Sequence, residues 1–530
     1  MTMSGKTVIL AALSVLMGCL GWGGTAWSQP PLPEGLAPAQ DAPPARATSP
    51  QPPLPEGLGG TAPSSSPSTS ASPPLPEGLG SASSPVTPAL PQGLDSAQGN
   101  APSLPEGLEA SPSVESQASA PGSEDQEPAW WHSLVDRHNW HGFFDNRFGL
   151  RVRRDDAMDR DAPLAESRLQ LKTRQALSSR LTLDFTGDLL LDGVMERAET
   201  DLRQLRLTWT PVDVLDIRLG RQPLAWGVGD LLFINDLFPK DWNSFFIGRD
   251  VEYLKAPSDA VKVGWFPGPV NVEVVYTPQF DSDRYISGDR ISYYNPLAGG
   301  RTGNGKALRA LKPSGWFEDD EWALRVSRNF GATEVALYGY DGYWKSPGGT
   351  RLLFPPAAVF PRLRAWGASA RGPLGKGIFS AEVGYYDSLE DRAGDDPFVN
   401  NGEFRLLLGY EQEIARELTG GVQYYLEHMM DYGAYRRTLP RFVPSRDEDR
   451  HVVTFRLTKL LMNQTLTLSM FLYYSPSDQD AYLRPAIRYA VNDHWTVDAG
   501  ANLFLGNEPH TFFGQFENNT NIYVGMQYGF

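Results

Sequence analysis

The sequence predicts an all-β chain in which residues 129–530 close into a transmembrane antiparallel β-barrel of about eighteen strands, preceded by a disordered Pro-rich segment. Three observations predict this fold class. Short segments alternate apolar with polar side chains, the links between them alternate short with long, and the last strand ends on Phe530. In that strand Ile522, Val524, Met526 and Tyr528 share one face with Phe530.

The chain begins with an export signal. Lys6 precedes an apolar run over residues 8–20, and Ala26-Trp27-Ser28 supplies a cleavage site, so residues 1–28 are predicted to be a signal peptide. The run Leu16-Met17-Gly18-Cys19 also resembles a lipobox, which leaves lipidation of Cys19 as an alternative. Cys19 is the single cysteine, so we expect no disulfide and no cysteine-based site in the mature chain.

Residues 29–128 are dominated by Pro, Ser, Ala and Gly and cannot bury enough apolar surface to order themselves. The heptapeptide PxLP[EQ]GL recurs at residues 30–36, 52–58, 73–79, 88–94 and 102–108. Repeated weak motifs suit a tether that docks on a periplasmic export partner through avidity. A spacer that expanded by duplication explains the repeats equally well.

The composition changes after Trp130. Residues 129–146 are predicted to be a periplasmic or interfacial lead-in to the first strand, and the alternating segments follow. Short links are predicted near residues 178–179, 211–213, 267–269, 331–332, 372–376, 462–464 and 492–493. Longer polar links are predicted at residues 155–163, 192–201, 223–258, 278–320, 342–361, 387–402, 427–450 and 506–520. Short periplasmic turns alternate with long external loops in this way in outer-membrane barrels.

Aromatic residues are predicted to form two belts at the bilayer interfaces. Tyr340, Tyr343, Trp344, Tyr385, Tyr386, Tyr424, Tyr425, Tyr473 and Tyr474 fall beside long links. Trp209, Trp265, Phe330, Trp495 and Phe530 fall beside short turns or at the terminus. Phe530 is also predicted to be the assembly signal that the barrel-assembly machinery recognises.

If the apolar positions face lipid, the alternate positions face the lumen. The basic candidates for lumen and selectivity are Arg168, Lys172, Arg174, Arg206, Arg218, Lys262, Arg325, Arg362, Arg364, Arg405, Arg456, Arg484 and Arg488. The acidic candidates are fewer: Asp184, Asp188, Asp216, Glu273, Glu334, Glu382, Glu403 and Asp498. A basic excess favours anions in a water-filled pore. The alternative is that Arg and Glu ladders simply fill the lumen and hold the strand register.

The link over residues 223–258 is rich in apolar side chains, which an exposed loop avoids. Folded inward it would narrow the pore, so we expect it to be the constriction. The residues predicted to lie there are Trp226, Asp230, Asp236, Lys240, Asp241 and Arg249.

Part of this region resembles a known family. Gly220-Arg221-Gln222, then Trp226-Gly227, Ile234-Asn235, Pro239 and Asp241 are similar to a segment of the alginate-export family and related uncharacterised porin-like families. The resemblance implies an eighteen-stranded barrel with an Arg-rich lumen. The Pro-rich segment and the many lumen carboxylates depart from that pattern, which leaves the cargo open.

The remaining patterns exclude several functions. A net charge of −16 argues against a nucleic-acid partner. The chain has no c-type haem or nucleotide motif, no convincing metal site around His132, His138 and His141, and no Ser–His pair, so we expect no cofactor and no enzymatic activity.

The sequence therefore predicts a channel in the bacterial outer membrane, with both termini in the periplasm, that passes a polar, anionic solute or polysaccharide. One alternative is a barrel scaffold or sheath around an envelope partner, such as a secreted lipoprotein or an electron-carrying cytochrome. The other is a lipid-modifying enzyme.

Overall fold

A computed structural model of the protein describes residues 139–306 and 308–530. The predicted signal peptide, the Pro-rich segment with its repeats, and most of the predicted lead-in lie outside the described residues. The described chain is built around one closed antiparallel sheet of eighteen strands. The prediction of an all-β barrel of about eighteen strands is confirmed.

The barrel strands are β1 His141–Arg151, β2 Leu164–Ser178, β3 Leu181–Asp192, β4 Arg197–Val212, β5 Leu215–Pro223, β6 Pro257–Trp265, β7 Asn271–Thr277, β11 Glu321–Phe330, β12 Thr333–Tyr343, β15 Arg362–Leu374, β16 Gly377–Ser388, β17 Glu403–Ala415, β18 Leu418–Met429, β19 Asp449–Leu461, β20 Leu466–Ser475, β21 Asp480–Ala490, β22 Trp495–Gly506 and β23 Asn521–Gly529. Shorter strands lie in the loops: β8 Tyr293–Asn295, β9 Gly300–Thr302, β10 Arg309–Leu311, β13 Gly349–Arg351 and β14 Ala357–Val359.

The first and last strands close the barrel. β23 pairs with β1 in antiparallel register from Phe143 opposite Gly529 to Arg151 opposite Asn521. Phe530 continues the ladder, because its main chain exchanges two hydrogen bonds with Gly142, 2.9 and 3.0 Å long. Closure leaves the sheet with no unpaired edge, which a barrel in lipid requires. The role of Phe530 as an assembly signal stays a prediction.

The side chains of the wall alternate between two environments. In β23, Ile522, Val524 and Met526 are exposed on the outer surface, whereas Tyr523 and Gly525 are buried in the interior. Large apolar side chains are exposed in the same way around the wall, among them Phe148, Leu191, Trp209, Leu219, Leu337, Leu408, Phe455 and Ile487. An apolar outer surface of this extent suits contact with lipid chains.

The two ends of the barrel differ. One end, called the short-turn end, carries tight links such as those between Ser178 and Leu181 and between Leu374 and Gly377. The other, called the long-loop end, carries the extended connections. The predicted long link at residues 192–201 was wrong in length, because β4 already begins at Arg197. The ladder continues there to Asp192 opposite Arg197, so only residues 193–196 form the turn.

The predicted aromatic belt at the long-loop end was wrong for six of its nine members, which are buried: Tyr340, Tyr343, Trp344, Tyr386, Tyr425 and Tyr473. Tyr385 and Tyr474 are more than 40% exposed on the outer surface, but their neighbours Tyr386 and Tyr473 are 1% and 5% exposed inside the barrel. Successive residues of a strand point to opposite faces, so each Tyr-Tyr pair contributes one ring to each side. The inner rings belong to the interior core.

Helices in the described residues are short. α1 spans Trp242–Ile247 and α2 spans Tyr432–Thr438, with 3₁₀ turns at Val251–Leu254 and Gly514–Asn519. Among the described residues, none of these helices is long and apolar enough to cross a membrane.

Candidate functional site

The connection between β5 and β6, residues 224–256, crosses the interior of the barrel and is called the inward segment. It forms hydrogen bonds with Glu166 on β2, Glu382 on β16, Gln423 on β18, Arg456 on β19, Tyr482 on β21 and Asn521 on β23. These strands lie on different sides of the wall, so only a path through the lumen reaches them all.

The first arm of the inward segment, residues 226–236, is held by the carboxylate of Glu382. This side chain accepts hydrogen bonds from the main-chain N–H groups of Val228 (3.0 Å), Gly229 (3.2 Å) and Asn235 (2.7 Å), and from Asn235 Nδ2 (2.9 Å). Gly227 has a φ of +89°, and a Cβ atom there would lie 2.9 Å from Glu382 Oε1. The arm therefore wraps around one buried carboxylate, which satisfies main-chain donors that would otherwise lack partners.

Three further wall residues fix the first arm near Asp230. Gln423 accepts a hydrogen bond from Asp230 N (2.7 Å) and donates one to Asp230 O (2.8 Å). Arg456 forms a bidentate ion pair with the Asp230 carboxylate, with Nη2 2.7 Å from Oδ1. Tyr473 donates a hydrogen bond of 2.8 Å to the carbonyl of Leu231. The arm is thus attached to four strands on one side of the wall, β16, β18, β19 and β20.

The second arm, residues 241–256, contains α1. The Asp241 carboxylate caps the helix by accepting a 2.8 Å hydrogen bond from Ser244 N, and the helix ends at Gly248 in the left-handed region. Phe246 packs with its ring centroid 5.4 Å from Tyr482 and 5.3 Å from Phe504 on the inner wall. The apolar content that makes this segment unusual in sequence is buried against inner aromatic rings.

Arginine pairs complete the attachment of the second arm. Arg249 Nη2 lies 2.7 Å from Glu166 Oε2, and Arg488 Nη1 lies 3.0 Å from Asp250 Oδ2. Burial by itself would raise the pKa of Asp250, but the guanidiniums of Arg488 and Arg147 lower it below its ordinary value. Asp250 is therefore held ionised inside the barrel.

Two cavities lie on opposite sides of the inward segment. The long-loop cavity, about 730 Å³, is lined on its outer side by Arg446, Asp478 and Glu508 from the loops. The short-turn cavity, about 430 Å³, is lined by wall residues near the tight turns, such as Ile378 and Tyr410.

Among the described residues, only Phe233 and Asp236 line both cavities. Asp236 forms an ion pair with Lys240 (2.9 Å), whose ammonium lies 4.9 Å from the centroid of the Phe233 ring. Lys240 also donates a hydrogen bond of 2.8 Å to Phe238 O. The two cavities therefore approach each other at a ring, a carboxylate and an ammonium from residues 233–240.

A second connection, residues 278–320 between β7 and β11, covers the inward segment from the long-loop end. The Asp283 carboxylate accepts hydrogen bonds from Lys240 N (2.7 Å), Trp242 Nε1 (3.1 Å) and Ser346 Oγ (2.6 Å). Burial raises the pKa of Asp283 despite these donors. Arg284 bridges Asp201 (2.8 Å) and Asp241 (3.4 Å), so it ties this connection to both the wall and α1.

Eleven of the thirteen basic residues predicted for the lumen lie in ion pairs, nine with carboxylates of wall strands and two with carboxylates of the inward segment. The pairs are Arg168–Asp188, Arg174–Asp184, Arg206–Asp184, Arg218–Asp216, Lys262–Glu273, Arg325–Glu273, Arg362–Asp341, Arg364–Asp341, Arg405–Glu403, Arg456–Asp230 and Arg488–Asp250. The lumen prediction was wrong for Arg362 and Arg364, because they share the outer face of β15 with the 47% exposed Trp366, whereas Leu363 and Ala365 are buried. In the described part of the chain, Lys172 and Arg484 have no carboxylate within 4 Å. Only Lys172, Arg405 and Arg456 line one of the two cavities. A paired cation contributes little field to the pore, so the basic excess expected from the sequence is largely neutralised.

The six residues predicted for the constriction separate into two groups. Trp226, Asp230, Asp236 and Lys240 line a cavity. Asp241 caps α1 and Arg249 pairs with Glu166, and neither lines a cavity among the described residues. Sequence reasoning missed Phe233 as a pore-facing ring, and Lys255 and Arg371 as pore-facing cations. Arg371 could have been found from alternation, since it lies on the opposite face of β15 from Trp366, together with Leu363, Ala365 and Ser369.

Comparisons with known proteins give fold likeness alone. No protein-family model and no curated protein matches the chain, so the resemblance to the alginate-export family stays a prediction. Among solved structures, the chain is similar to OccAB3 of Acinetobacter baumannii, with 12% identity, coverage of 74% of this chain and 98% of that chain, and a TM-score of 0.44.

Two other similar structures are a loop-deletion variant of OmpT, an outer membrane protein of Vibrio cholerae, and a triple mutant of the Rhodopseudomonas blastica porin. The OmpT variant has 12% identity, coverage of 74% and 98%, and a TM-score of 0.36. The porin has 12% identity, coverage of 74% and 99%, and a TM-score of 0.33. Likenesses this distant carry no argument about the solute, so the assignment of a closed eighteen-stranded barrel rests on the strand pairing itself.

Proposed function

We propose that the protein is a non-enzymatic channel of the outer membrane through which small polar solutes diffuse passively. The observation that supports it best is the pair of cavities on either side of the inward segment, which approach each other at Phe233 and Asp236. A solute that passed from one cavity to the other would move beside this ring and this carboxylate. Nothing in the proposal requires a bound cofactor.

The inward segment favours a small solute over a polysaccharide. Both arms are attached to the wall by buried hydrogen bonds and ion pairs, including those to Glu382 and Glu166. A polymer would have to displace the segment along its whole length, and breaking several buried contacts at once costs many kcal/mol. A small solute would instead pass beside the Phe233 and Asp236 side chains, which line both cavities.

The orientation and partners belong to the same proposal. The short-turn end, with Phe530 and the start of β1, would face the periplasm, and the long loops would face outward. The outer wall would contact outer-membrane lipid, the C-terminal strand would be read by the barrel-assembly machinery, and the Pro-rich repeats would tether an export partner.

Conductance in planar lipid bilayers tests the proposal. The purified full chain should give discrete single-channel openings in KCl. The Phe233→Ala variant should give larger openings, since the ring lies between the two cavities. Phe330→Ala is the matched control, because Phe330 is 58% exposed on the outer wall at the short-turn end. A silent wild-type barrel would contradict the proposal and favour the scaffold alternative.

A further inference from the structure

The two cavities approach each other at a carboxylate whose second oxygen has no hydrogen-bond donor. Asp236 lines both cavities, and its side chain is only 5% exposed. Its Oδ1 lies 2.9 Å from Lys240 Nζ. Within residues 139–306 and 308–530, its Oδ2 accepts no hydrogen bond. A carboxylate this buried is stabilised by each donor it gains, so Oδ2 is available to a donor group of a solute.

The Lys240 ammonium directs its donors into the protein. It lies 2.9 Å from Asp236 Oδ1, donates a hydrogen bond of 2.8 Å to Phe238 O, and lies 4.9 Å from the centroid of the Phe233 ring. An ammonium has three N–H donors, and these three contacts account for them. The Lys240 side chain is 4% exposed and lines the long-loop cavity but not the short-turn cavity. A solute at this point therefore meets a free acceptor on Asp236 and no free donor on Lys240.

Two further carboxylates lie beside this point without a cationic partner. Glu382 accepts hydrogen bonds from Asn235 N (2.7 Å) and Asn235 Nδ2 (2.9 Å), one residue before Asp236. Asp283 accepts one from Lys240 N (2.7 Å). Across the part of the chain that the structure describes, neither carboxylate has a side-chain nitrogen of Lys or Arg within 4 Å. Acceptors thus outnumber the single cation where the two cavities approach each other.

Aromatic rings complete these surroundings. Phe233 lines both cavities, and its ring centroid lies 6.0 Å from that of Trp242, which lines the long-loop cavity. The face of an aromatic ring attracts cations, as the contact of Lys240 with Phe233 already illustrates. A buried carboxylate oxygen beside such rings suits a cationic group and disfavours an anion.

We propose that the meeting point of the two cavities binds the cationic group of a solute, with Asp236 Oδ2 as the acceptor and Phe233 and Trp242 as the neighbouring rings. The inference deepens the proposed function, on which it rests for its place in a solute pathway. It reverses the anion preference expected from the basic residues of the lumen, because most of those residues form ion pairs whereas Asp236 keeps an acceptor free.

Reversal potentials of the purified full chain in lipid bilayers test this binding point within the pathway. Under a gradient of KCl or of methylammonium chloride, the cation should be more permeant than chloride. Asp236→Asn removes the charge and keeps the shape, so it should lower the permeability ratio of cation to chloride about fivefold, the effect of one charge at short range in partly hydrated surroundings. Asp493→Asn is the matched control, because Asp493 is exposed in a tight turn and lines neither cavity.

The same recordings distinguish two sources of the cationic group. A permeability ratio of methylammonium to K⁺ above the ratio of their mobilities in water assigns the binding point to organic cations. A ratio below it assigns the binding point to inorganic cations.

Cysteine labelling tests the binding point without conduction. Cys19, the single cysteine, lies in the predicted signal peptide, so Phe233→Cys supplies the only thiol of the processed chain. In detergent micelles, a methanethiosulfonate that carries a trimethylammonium group should modify this thiol faster than one that carries a sulfonate. Adding Asp236→Asn should lower the ratio of the two rates about fivefold, and adding Asp493→Asn should leave it unchanged. Adding Lys240→Met should raise the ratio, and opposite shifts in the two variants cannot come from loosening of the segment alone.

The outcomes separate the two claims. Open channels that prefer chloride, with a thiol that both reagents modify equally fast, overturn the binding point and leave the channel standing. A silent barrel whose thiol prefers the cationic reagent, and loses this preference with Asp236→Asn, supports the binding point and overturns the channel. A preference that Asp493→Asn lowers as much as Asp236→Asn overturns the assignment to Asp236.

Discussion

The two arms of the inward segment are held inside the same barrel by different contacts. The first arm, residues 226–236, relies on hydrogen bonds from its main chain to wall side chains, above all to Glu382. The second arm, residues 241–256, relies on aromatic packing around Phe246 and on arginine pairs such as Arg249–Glu166. Both arms contribute to the interior core, through Ile234 in the first arm and Phe246 in the second, but the first arm also contains Phe233 and Asp236, where the two cavities approach each other.

This difference has a physical consequence. A substitution that disrupts the packing of the second arm leaves a cavity in the core and should destabilise the barrel. Breaking one anchor of the first arm frees a few main-chain groups, which water in the cavities can then solvate. We therefore expect changes in the second arm to alter folding, and changes in the first arm to alter conduction in a barrel that remains folded.

The largest effect is expected at Gly248 in the second arm. Its φ is +97°, and a Cβ atom would lie 2.3 Å from the ring of Tyr523. Gly248→Ala should lower the free energy of unfolding by about 2–5 kcal/mol through backbone strain and overpacking. Urea unfolding followed by tryptophan fluorescence measures it.

Gly268→Ala is the control for Gly248→Ala. Gly268 has a φ of +120° in a tight turn with no atom within 4 Å of its Cβ position, so it isolates the backbone strain. Equal losses in the two variants would show that the contact with Tyr523 contributes nothing.

Compared with Gly248→Ala, a substitution at Glu382 is expected to lower stability less and to alter conduction more. Glu382→Ala leaves the N–H groups of Val228, Gly229 and Asn235 without their acceptor. The first arm should lose about 2–4 kcal/mol of local stability, and channel recordings should show new subconductance levels. Asp387→Asn is the control, because Asp387 lies on the same strand but pairs with Arg392. It should change neither the local stability of the first arm nor the conductance levels. Loss of the folded barrel in Glu382→Ala would contradict the separation of the two arms.

A pH-dependent effect is expected where the second connection meets Lys240. Because the pKa of Asp283 is raised in the folded protein, the protonated form is favoured there. The contact should strengthen as the pH falls through this raised value toward the ordinary value of about 3.9, and should weaken again at higher pH. Hydrogen exchange of residues 238–246, corrected for the intrinsic rate, measures it. Asp283→Asn should remove the pH dependence, and a variant that kept it would assign the effect to another group.

The smallest effect is expected at Tyr473, which donates one hydrogen bond to Leu231 O in the first arm. Tyr473→Phe should cost about 0.5–1.5 kcal/mol, the usual net value of a single neutral hydrogen bond. Tyr482→Phe is the matched variant, because it removes a hydroxyl that donates a hydrogen bond to Asn502 on the neighbouring wall strand. Exchange should increase at residues 230–232 in the first variant and not in the second.

Local pattern in the sequence was enough to predict the barrel. Alternation with a period of two residues decides which side chains of a strand face lipid, and it depends only on neighbouring residues. The apolar content of residues 231–238 likewise indicated a buried connection, because such a loop is unstable in water. The inward path of this segment followed from composition alone.

The charge of the lumen required the tertiary structure. Arg456 and Asp230 are 226 residues apart and form an ion pair only because the inward segment crosses to β19. Arg168 and Asp188 meet because the register of β2 and β3 places Asp188 opposite Gln170 and diagonally across from Arg168. Whether a lumen cation is neutralised depends on such distant partners, which no local pattern specifies. The sequence by itself determined the wall and the buried segment, since both follow from local alternation and apolar content. Only the folded chain decided which lumen cations form ion pairs and that Phe233 and Asp236 line both cavities, because pairing and cavity shape depend on how distant strands and loops meet.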